Sequence, residues 1–540
     1  MQPAIRNLLL LFVGSFLFHV AGTWTIPLID RDEPRFAEAS REMMERNDYV
    51  VPFFNNQYRF DKPPLTYWFQ AASYRLFGDN DFAARLPSVI AAAFAAVLIA
   101  LWGRRIGPER VGWWAAIMFT LCFQTFLHAK AAVADMWLIL FVTAAHWAGY
   151  ELLRDRFRSA EAAAIENQPS IANGSAVPSR WWWWIFYLSL ALAFLVKGPI
   201  GWTPLLAVAA MKFLLPGVKL NQRFVFVAGA LLVLSIVAAW GIPALMRTRG
   251  DFFYTGIGKH VVGRSLVGLE GHGAGSIWFY VLMLPFFFVT VFYTFFPWSV
   301  ALPWLTRRLW KARDPIDNYL IAGAALVFLI FTIVKTKLPH YTLPAFPLLA
   351  LLLAKNLRDV NRAPRLIKRT AIVTACVALL ALLMTPMLST LVPSLHLMQR
   401  ARQELTPEMQ FGVIGYKEPS LVWYFRKHVD GWMTDLEKGR SAKPALAPKW
   451  PEIARPGAIL ATPAPKRLTS AEAAARHATQ TEARTLQFMA EPGGRFVIVP
   501  TSMVNTLYPT LPEGWTTFRT QGRNTATGKP LDLTLILKRS

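Results

Sequence analysis

The sequence predicts a polytopic α-helical membrane protein that ends in a small soluble α/β domain, and three observations predict it. Of 540 residues, 54% are hydrophobic and only 17% are charged, whereas roughly a quarter of a soluble protein is charged. Apolar windows long enough to cross about 30 Å of hydrocarbon recur along the chain. After Pro393 those windows stop, and short strand-like runs take their place.

The windows lie near residues 4–24, 86–103, 110–127, 133–152, 181–198, 201–216, 224–246, 276–304, 319–335, 343–355 and 370–392. That makes about eleven spans, several of them short or interrupted by Pro and Gly. Two more short or re-entrant helices fit within the crowded segments, for eleven to thirteen in all. The first apolar segment, Leu8 to Ala21, follows Arg6 as a signal peptide would. No clear small-residue cleavage site comes after it, so it reads as a retained first helix.

The formal net charge is +24. Nucleic-acid binding would need those cations on one soluble face, and here they sit mostly in short loops between apolar windows. Arg104, Arg105 and Arg110; Arg154, Arg156 and Arg158; Lys219 and Arg223; Arg307, Arg308, Lys311 and Arg313; and the run from Lys355 to Arg369 occupy alternate loops. The positive-inside rule makes those loops cytoplasmic. The loop from Ile29 to Gln70, the Lys130–Asp135 segment, Lys197, Arg247 to Gly275, Lys335 to Pro344 and the C-terminal region then face outward. Cys122 and Cys376 fall within apolar windows, so neither a disulfide framework nor a cysteine metal site is indicated.

Residues 1–392 therefore read as a transmembrane domain with an outward first loop at 25–84, and 393–540 as an external α/β domain. The runs FGVIGY, LVWYF, AILAT, RFVIVP and LTLILK suggest strands, and Ser470 to Thr485 suggests a helix. Ser159 to Ser179 is rich in Ala, Ser, Asn and Pro and reads as a cytoplasmic loop. The four tryptophans from Trp181 mark a membrane interface.

The first loop carries the densest charge in the first part of the chain. Asp30, Asp32 and Glu33 precede Pro34, which suits the first turn of a helix because its missing N–H is not needed there. Phe36, Ala39, Ser40, Met43 and Met44 then recur at helical spacing. Leu65, Trp68, Phe69, Ala72 and Leu76 repeat that spacing after Pro63 and Pro64, until Gly78 supplies a stop. Two amphipathic helices on the membrane surface are expected, joined by a turn carrying Tyr58, Arg59, Phe60, Asp61 and Lys62. Helix capping is the plainer role for Asp32 and Glu33, and snorkelling that for Arg59, Lys62 and Lys197. Carboxylates and cations interleaved with aromatic rings at an interface instead suit a charged, sugar-bearing lipid.

Other outward positions extend this constellation. Asp135 opens the fourth window with His128 and Lys130 nearby, and an acidic residue at a membrane boundary is a functional candidate, with helix capping as the alternative. KTKLPHYTLP sets Lys335, His340 and Tyr341 in a prolyl turn. Arg247, Arg249, Lys259, His260 and Arg264 border or populate a glycine-rich stretch suited to a lid.

The first-loop pair D-x-D-E-P-R-F and R-F-x-K-P-P-L-x-Y-W resembles the polyisoprenyl-phosphate-dependent glycosyltransferases of the GT-C class, most closely those that modify lipid A with aminoarabinose, relatives of the protein O-mannosyltransferases. The AVAD segment ending in Asp135, the KLPHYTLP turn and YKEPSLVWYF at Tyr416–Phe425 share the likeness. It implies a membrane portion of up to thirteen helices. The implied reaction is transfer of 4-amino-4-deoxy-L-arabinose from undecaprenyl phosphate to a lipid A phosphate, outside the bacterial inner membrane. It also implies that Asp32 is the acidic residue of the first-loop motif, Asp135 the second external acidic residue, and Lys62 the contact to donor phosphate.

Charge bookkeeping on that reaction assigns further roles. Transfer from a prenyl phosphate releases a phosphate dianion, which Lys62, with Arg59 or Arg247, would stabilise. A phosphate acceptor is already largely ionised, so Asp32 orients it or takes a residual proton, with Glu33 as second choice. Arg35, Tyr58, Lys130, Lys335, His340 and Tyr341 complete the expected substrate contacts. No cofactor is required. A divalent cation held by a carboxylate, with Asp61, His128 or His340 as partners, is left open because no ligand spacing is diagnostic. The expected partners are the lipid-linked aminosugar, lipid A and membrane lipids, with the chain acting as a monomer. Two alternatives stand beside this reading: a related transferase acting on protein or polysaccharide hydroxyls, and a lipid or sugar transporter. The second is disfavoured by the absence of an evident repeat and by charges that gather at the outer surface.

Overall fold

The computed structural model describes residues 3–29, 31–166, 180–215, 217–256, 277–432, 482–524 and 528–539. Asp30, Lys259, His260, Arg264, the AILAT run and most of the Ser470–Thr485 stretch lie outside the described residues. The chain divides into two compact units. The first comprises Met1–Thr25, Ala39–Phe53 and Tyr58–Thr385; the second comprises Ile26–Glu38, Phe54–Gln57 and Pro386–Ser540.

The first unit is helical. Its elements begin with α1 (Pro3–Val20), then the C-terminal part of α2 (Asp32–Glu45), α3 (Leu65–Phe77), α4 (Asp81–Ile106), α5 (Glu109–Leu121), α6 (Phe123–Ala129), α7 (Asp135–Glu166) and α8 (Arg180–Lys197). A 3-10 turn, Pro199–Trp202, leads into α9 (Thr203–Leu214), α10 (Leu220–Phe224) and α11 (Phe226–Arg247). Among the described residues, four helices combine the length and apolarity needed to cross a membrane: Asp81–Ile106, Asp135–Ala160, Phe226–Arg247 and Pro315–Ile333. Two further pairs bend sharply at a break, Glu109–Leu121 with Phe123–Ala129 by 67° and Ala363–Leu382 with Thr385–Leu391 by 54°. This is a multi-pass membrane protein. The other predicted windows are helical but shorter or broken. Residues 276–304, for example, include Ile277–Leu282, Phe286–Thr294 and a 3-10 turn at Trp298–Ala301. Pro285 and Pro297 stand at those breaks, where each withholds a backbone donor.

The first-loop helices form where Pro34 and Pro64 predict them, and Gly78 ends α3 at φ +77°. Their environment differs from the expectation. Rather than presenting one apolar face, α2 is buried almost all round, with Glu38, Ser40 and Glu42 fully enclosed. Enclosure is tolerated because the polar groups are paired: Ser40 donates to Gln70 Oε1 at 2.7 Å, and Glu42 faces Arg46 at 3.8 Å.

The core of the first unit runs through α4, α5, α7, α8 and the helices Pro315–Ile333 and Phe346–Leu357. Helices α4 and α5 meet through glycines. A Cβ added to Gly112 would sit 2.1 Å from the Ala100 carbonyl oxygen, and one on Gly103 would sit 2.4 Å from the Gly112 Cα. Small residues let helix backbones approach this closely where no hydrophobic effect drives them together.

The second unit holds a five-stranded mixed sheet in the order β4-β3-β5-β7-β6. Its strands are β3 (Gln410–Val413), β4 (Val429–Trp432), β5 (Arg495–Pro500), β6 (Trp515–Arg523) and β7 (Pro530–Lys538). β3 runs parallel to β4 and β5, whereas β7 is antiparallel to both β5 and β6. Alternation along β5 serves two cores: Phe496 and Ile498 join Phe411, Leu421 and Phe425 on one face, while Val497 and Val499 join Ile414, Met489 and Ile536 on the other. FGVIGY, RFVIVP and LTLILK contribute strands as predicted. LVWYF does not: Ser420–Phe425 is a short helix, begun after Pro419 and closed by Arg426 in the left-handed conformation. A five-residue apolar run carries no period that separates helix from strand.

Replacing Gly112 by Ala should lower the unfolding midpoint of the detergent-solubilised protein by the equivalent of about 1–3 kcal/mol, through overpacking. Helix propensity alone predicts a gain of about 1 kcal/mol. A thermal melt that shows an unchanged or raised midpoint would contradict the close α4–α5 approach.

Candidate functional site

The cationic turn of the first loop leads into α3. Arg59 Nε donates to the Tyr67 hydroxyl at 3.0 Å, and its Nη2 lies 3.2 Å from Asp61. Arg59 is buried in this arrangement and serves to hold the turn. Lys62 comes next, directly before Pro63 and Pro64, and a residue before proline is confined to extended backbone.

Phe60, Asp61, Lys62 and Pro63 form one edge of a cavity of about 820 Å³. At another edge stand Lys197, Gly198 and Pro199, where α8 ends. The remaining wall is almost wholly apolar and includes Leu205, Leu206, Val237, Ile242, Leu245 and Phe331. Tyr341 and Thr336 also line it. The cavity thus joins two lysines to a long greasy chamber.

Lys197 is held by Asp135. Its ammonium lies 2.6 Å from Asp135 Oδ1, with both side chains largely buried. Asp135 occupies the first turn of α7 and Lys197 the last turn of α8, so each charge complements its own helix dipole. Gly198, at φ +77°, turns the chain from α8 into the following 3-10 turn. An L side chain adopts that conformation only with strain.

Two imidazoles lie close enough to the Asp135–Lys197 pair to feel its charges, though neither is among the described residues lining the cavity. His128, in the last turn of α6, lies with its ring centroid 4.9 Å from that of His340. Gln124 Nε2 meets His128 Nδ1 at 2.9 Å. Burial is the main cause that pushes the His340 pKa down to about 3. His128, Lys197 and Lys62 lower it further, and Asp135 opposes them. His340 is therefore neutral at physiological pH. Tyr341 follows it, with its ring 4.8 Å from that of Phe331 and 6.0 Å from the Lys197 ammonium.

Other expected residues sit elsewhere. Lys130 turns toward the end of α1, where its ammonium donates to the carbonyls of Phe18, His19 and Ala21 at 2.8, 2.8 and 2.7 Å. Arg247 pairs with Asp48 and is half exposed. Neither it nor the half-buried Lys335 is among the described residues lining the cavity. Tyr58 is exposed and stacks between Phe53 and Phe60. Asp32, Glu33 and Arg35 belong to the second unit: Asp32 is exposed at the start of α2, and Glu33 is buried and accepts the Ile29 N–H at 2.9 Å. Among the described residues, no three His, Cys, Asp or Glu side chains group so as to hold a metal ion. Sequence reasoning weighed Lys197 only as a snorkelling lysine, and nothing local to VKGPIG distinguishes it from one.

Comparison with known proteins adds to this picture. Residues 61–160 match the family described as dolichyl-phosphate-mannose-protein mannosyltransferase. The structure superimposes on that of ArnT from Cupriavidus metallidurans bound to undecaprenyl phosphate, with a TM-score of 0.69 over 97% of each chain at 16% identity. The chain has the GT-C glycosyltransferase fold. The apo form of the same ArnT gives a TM-score of 0.67 over 99% of this chain and 98% of that one, at 17% identity. Among curated relatives, an undecaprenyl phosphate-alpha-4-amino-4-deoxy-L-arabinose arabinosyl transferase of Aeromonas hydrophila is 30% identical over 342 residues, 62% of this chain and 57% of that one. Its counterpart in Edwardsiella ictaluri is 30% identical over 360 residues, covering 64% and 58%. An uncharacterized protein of Aquifex aeolicus is 26% identical over 357 residues, 64% of each chain. The chain thus spans less than two thirds of the length of each of these three relatives. The family match begins at Asp61, one residue before Lys62, and includes Asp135.

The His340 titration reports the local potential. Replacing Lys62 by Ala should raise the His340 pKa above its depressed value, because one cation that opposes protonation is lost. Nitrogen-15 histidine NMR of the detergent-solubilised protein measures this directly. An unmoved titration would place Lys62 outside the cluster.

Proposed function

We propose that this chain is a glycosyltransferase that moves 4-amino-4-deoxy-L-arabinose from undecaprenyl phosphate to a phosphate of lipid A. The observation that carries the reading is the cavity itself, with Lys62 and Lys197 beside an apolar chamber. A prenyl phosphate has the matching chemistry, an anionic head on a long hydrocarbon tail. The names of the Aeromonas and Edwardsiella relatives and the undecaprenyl phosphate bound to ArnT support the same donor.

In the reaction, an acceptor phosphate oxygen attacks the anomeric carbon while the bond from that carbon to the donor phosphate oxygen breaks. The electron pair leaves with undecaprenyl phosphate, which becomes a dianion, and the anomeric centre is inverted. Lys62 and Lys197 stabilise the charge that develops on the departing phosphate. Asp135 acts on Lys197 rather than on substrate, holding the ammonium in place through the buried pair. The first-loop carboxylate Asp32 orients the acceptor or takes its residual proton, with Glu33 in a supporting part, since its carboxylate is committed to the Ile29 amide. His340, neutral at working pH, offers hydrogen bonds without adding charge. Arg59 supports the turn that carries Lys62.

The alternation of basic loops supports placement in a bacterial inner membrane with the Lys62 turn on the periplasmic side. The acceptor is lipid A in this reading, and the chain works as a monomer. A hydroxyl acceptor on protein or polysaccharide is the alternative outcome of the same test.

Mass spectrometry of lipid A from cells without such a transferase, expressing this chain, should show the added aminosugar. Lys62→Ala and Lys197→Ala should each reduce the addition by about a hundredfold, the usual cost of removing a donor that stabilises developing charge. Wild type that leaves lipid A unmodified would remove this acceptor, and undiminished addition in both variants would remove the phosphate role of the lysines.

A further inference from the structure

We propose that the second unit is a clamp on the first loop, with Tyr424, Glu418 and Asn55 as positioning residues for the transfer reaction. This rests on the proposed function, because the segment it holds carries Asp32. The stretch Tyr416–Phe425 has no part in the cavity, yet it provides two of the three ties.

The first tie is to irregular backbone. Residues 26–29 form neither helix nor strand, so their amides need individual partners. The Leu28 N–H donates to the Tyr424 hydroxyl at 2.7 Å, and the Ile29 N–H donates to Glu33 at 2.9 Å. Leu28 itself is fully buried. The second tie is electrostatic. Glu418 is buried, accepts from Asn524 Nδ2 at 3.0 Å through Oε1, and turns Oε2 toward Arg31 Nε at 3.9 Å. Burial pushes the Glu418 carboxyl above its ordinary range, and Arg31, the Asn524 hydrogen bond and Arg35 oppose that shift. Asp32 thus stands next to Arg31 and Glu33, each of which is anchored.

The third tie holds the other end of the loop. Asn55 and Asn56 form a two-residue turn with φ of +53° and +61°, between the short strands β1 (Phe53–Phe54) and β2 (Gln57–Tyr58). That is the type I′ geometry favoured in tight hairpins. The Asn55 side chain accepts the Val429 N–H at 2.7 Å and donates to the Val429 carbonyl at 3.2 Å. This paired bond reproduces a rung of sheet at the start of β4. Both loop segments of the second unit, Ile26–Glu38 and Phe54–Gln57, are therefore gripped by the C-terminal portion of the chain. Holding a reacting group in one geometry raises kcat without requiring tighter substrate binding.

The test uses the full-length protein in detergent and the variants Tyr424→Phe, Glu418→Gln and Asn55→Ala. Hydrogen–deuterium exchange is read first, without substrate. Peptides covering residues 26–38 should exchange about tenfold faster in Tyr424→Phe and Glu418→Gln, as expected for loss of a buried hydrogen bond. In the transfer assay, kcat should fall about tenfold or more in all three variants, with the donor KM unchanged. Unchanged exchange would overturn the clamp, as would faster exchange with full kcat, or a parallel change in kcat and donor KM. Wild type that transfers no sugar would instead sink the proposed function, and the exchange result would still judge the clamp.

Discussion

The buried ion pair between Asp135 and Lys197 is the interaction on which the polar end of the cavity depends. It joins the start of α7 to the end of α8, and removing one partner from such a pair leaves an uncompensated charge at a cost of about 3–5 kcal/mol. Both helix dipoles favour the arrangement. Once Lys197 is fixed, Gly198 and the 3-10 turn after it define the edge of the chamber that α9 and α11 extend in apolar side chains.

Lys62 reaches the same cavity by a different route. The two prolines behind it restrict its backbone, and Arg59, Asp61 and Tyr67 brace the turn before it. His128, Lys197 and Lys62 add to the depression that burial imposes on the His340 imidazole, and Asp135 opposes them. An anion with a hydrocarbon tail, as in the proposed donor, matches two lysines beside an apolar wall.

The soluble part of the chain follows ordinary sheet physics. Alternate residues of β5 face two separate cores, and the sheet mixes parallel and antiparallel pairing because β7 returns beside β5. What sets it apart is that thirteen residues of the first loop, Ile26–Glu38, are part of this unit rather than of the helical one. Helix α2 begins in this unit and ends in the helical one, and its enclosed polar residues are paired where an amphipathic surface helix was expected.

The sequence by itself determined the class of the molecule. Apolar windows, alternating basic loops and the change of composition near Pro393 need no long-range information. The same holds for the starts of α2 and α3, since Pro34 and Pro64 act on their own neighbours, and for the stop at Gly78. Lys62, which lines the cavity, was legible as a candidate because the double proline and the surrounding motif mark it. Only the tertiary structure decided the rest of the site. Lys130 and Arg247 have the right chemistry at the right boundary, but a side chain's direction depends on what surrounds it. One finds the carbonyls of α1 and the other finds Asp48. Lys197, a lone lysine in a greasy stretch, becomes part of the site because a carboxylate 62 residues away in sequence meets it. Pairing across such a separation leaves no local periodicity to read, so composition and motif locate the region while packing selects the residues.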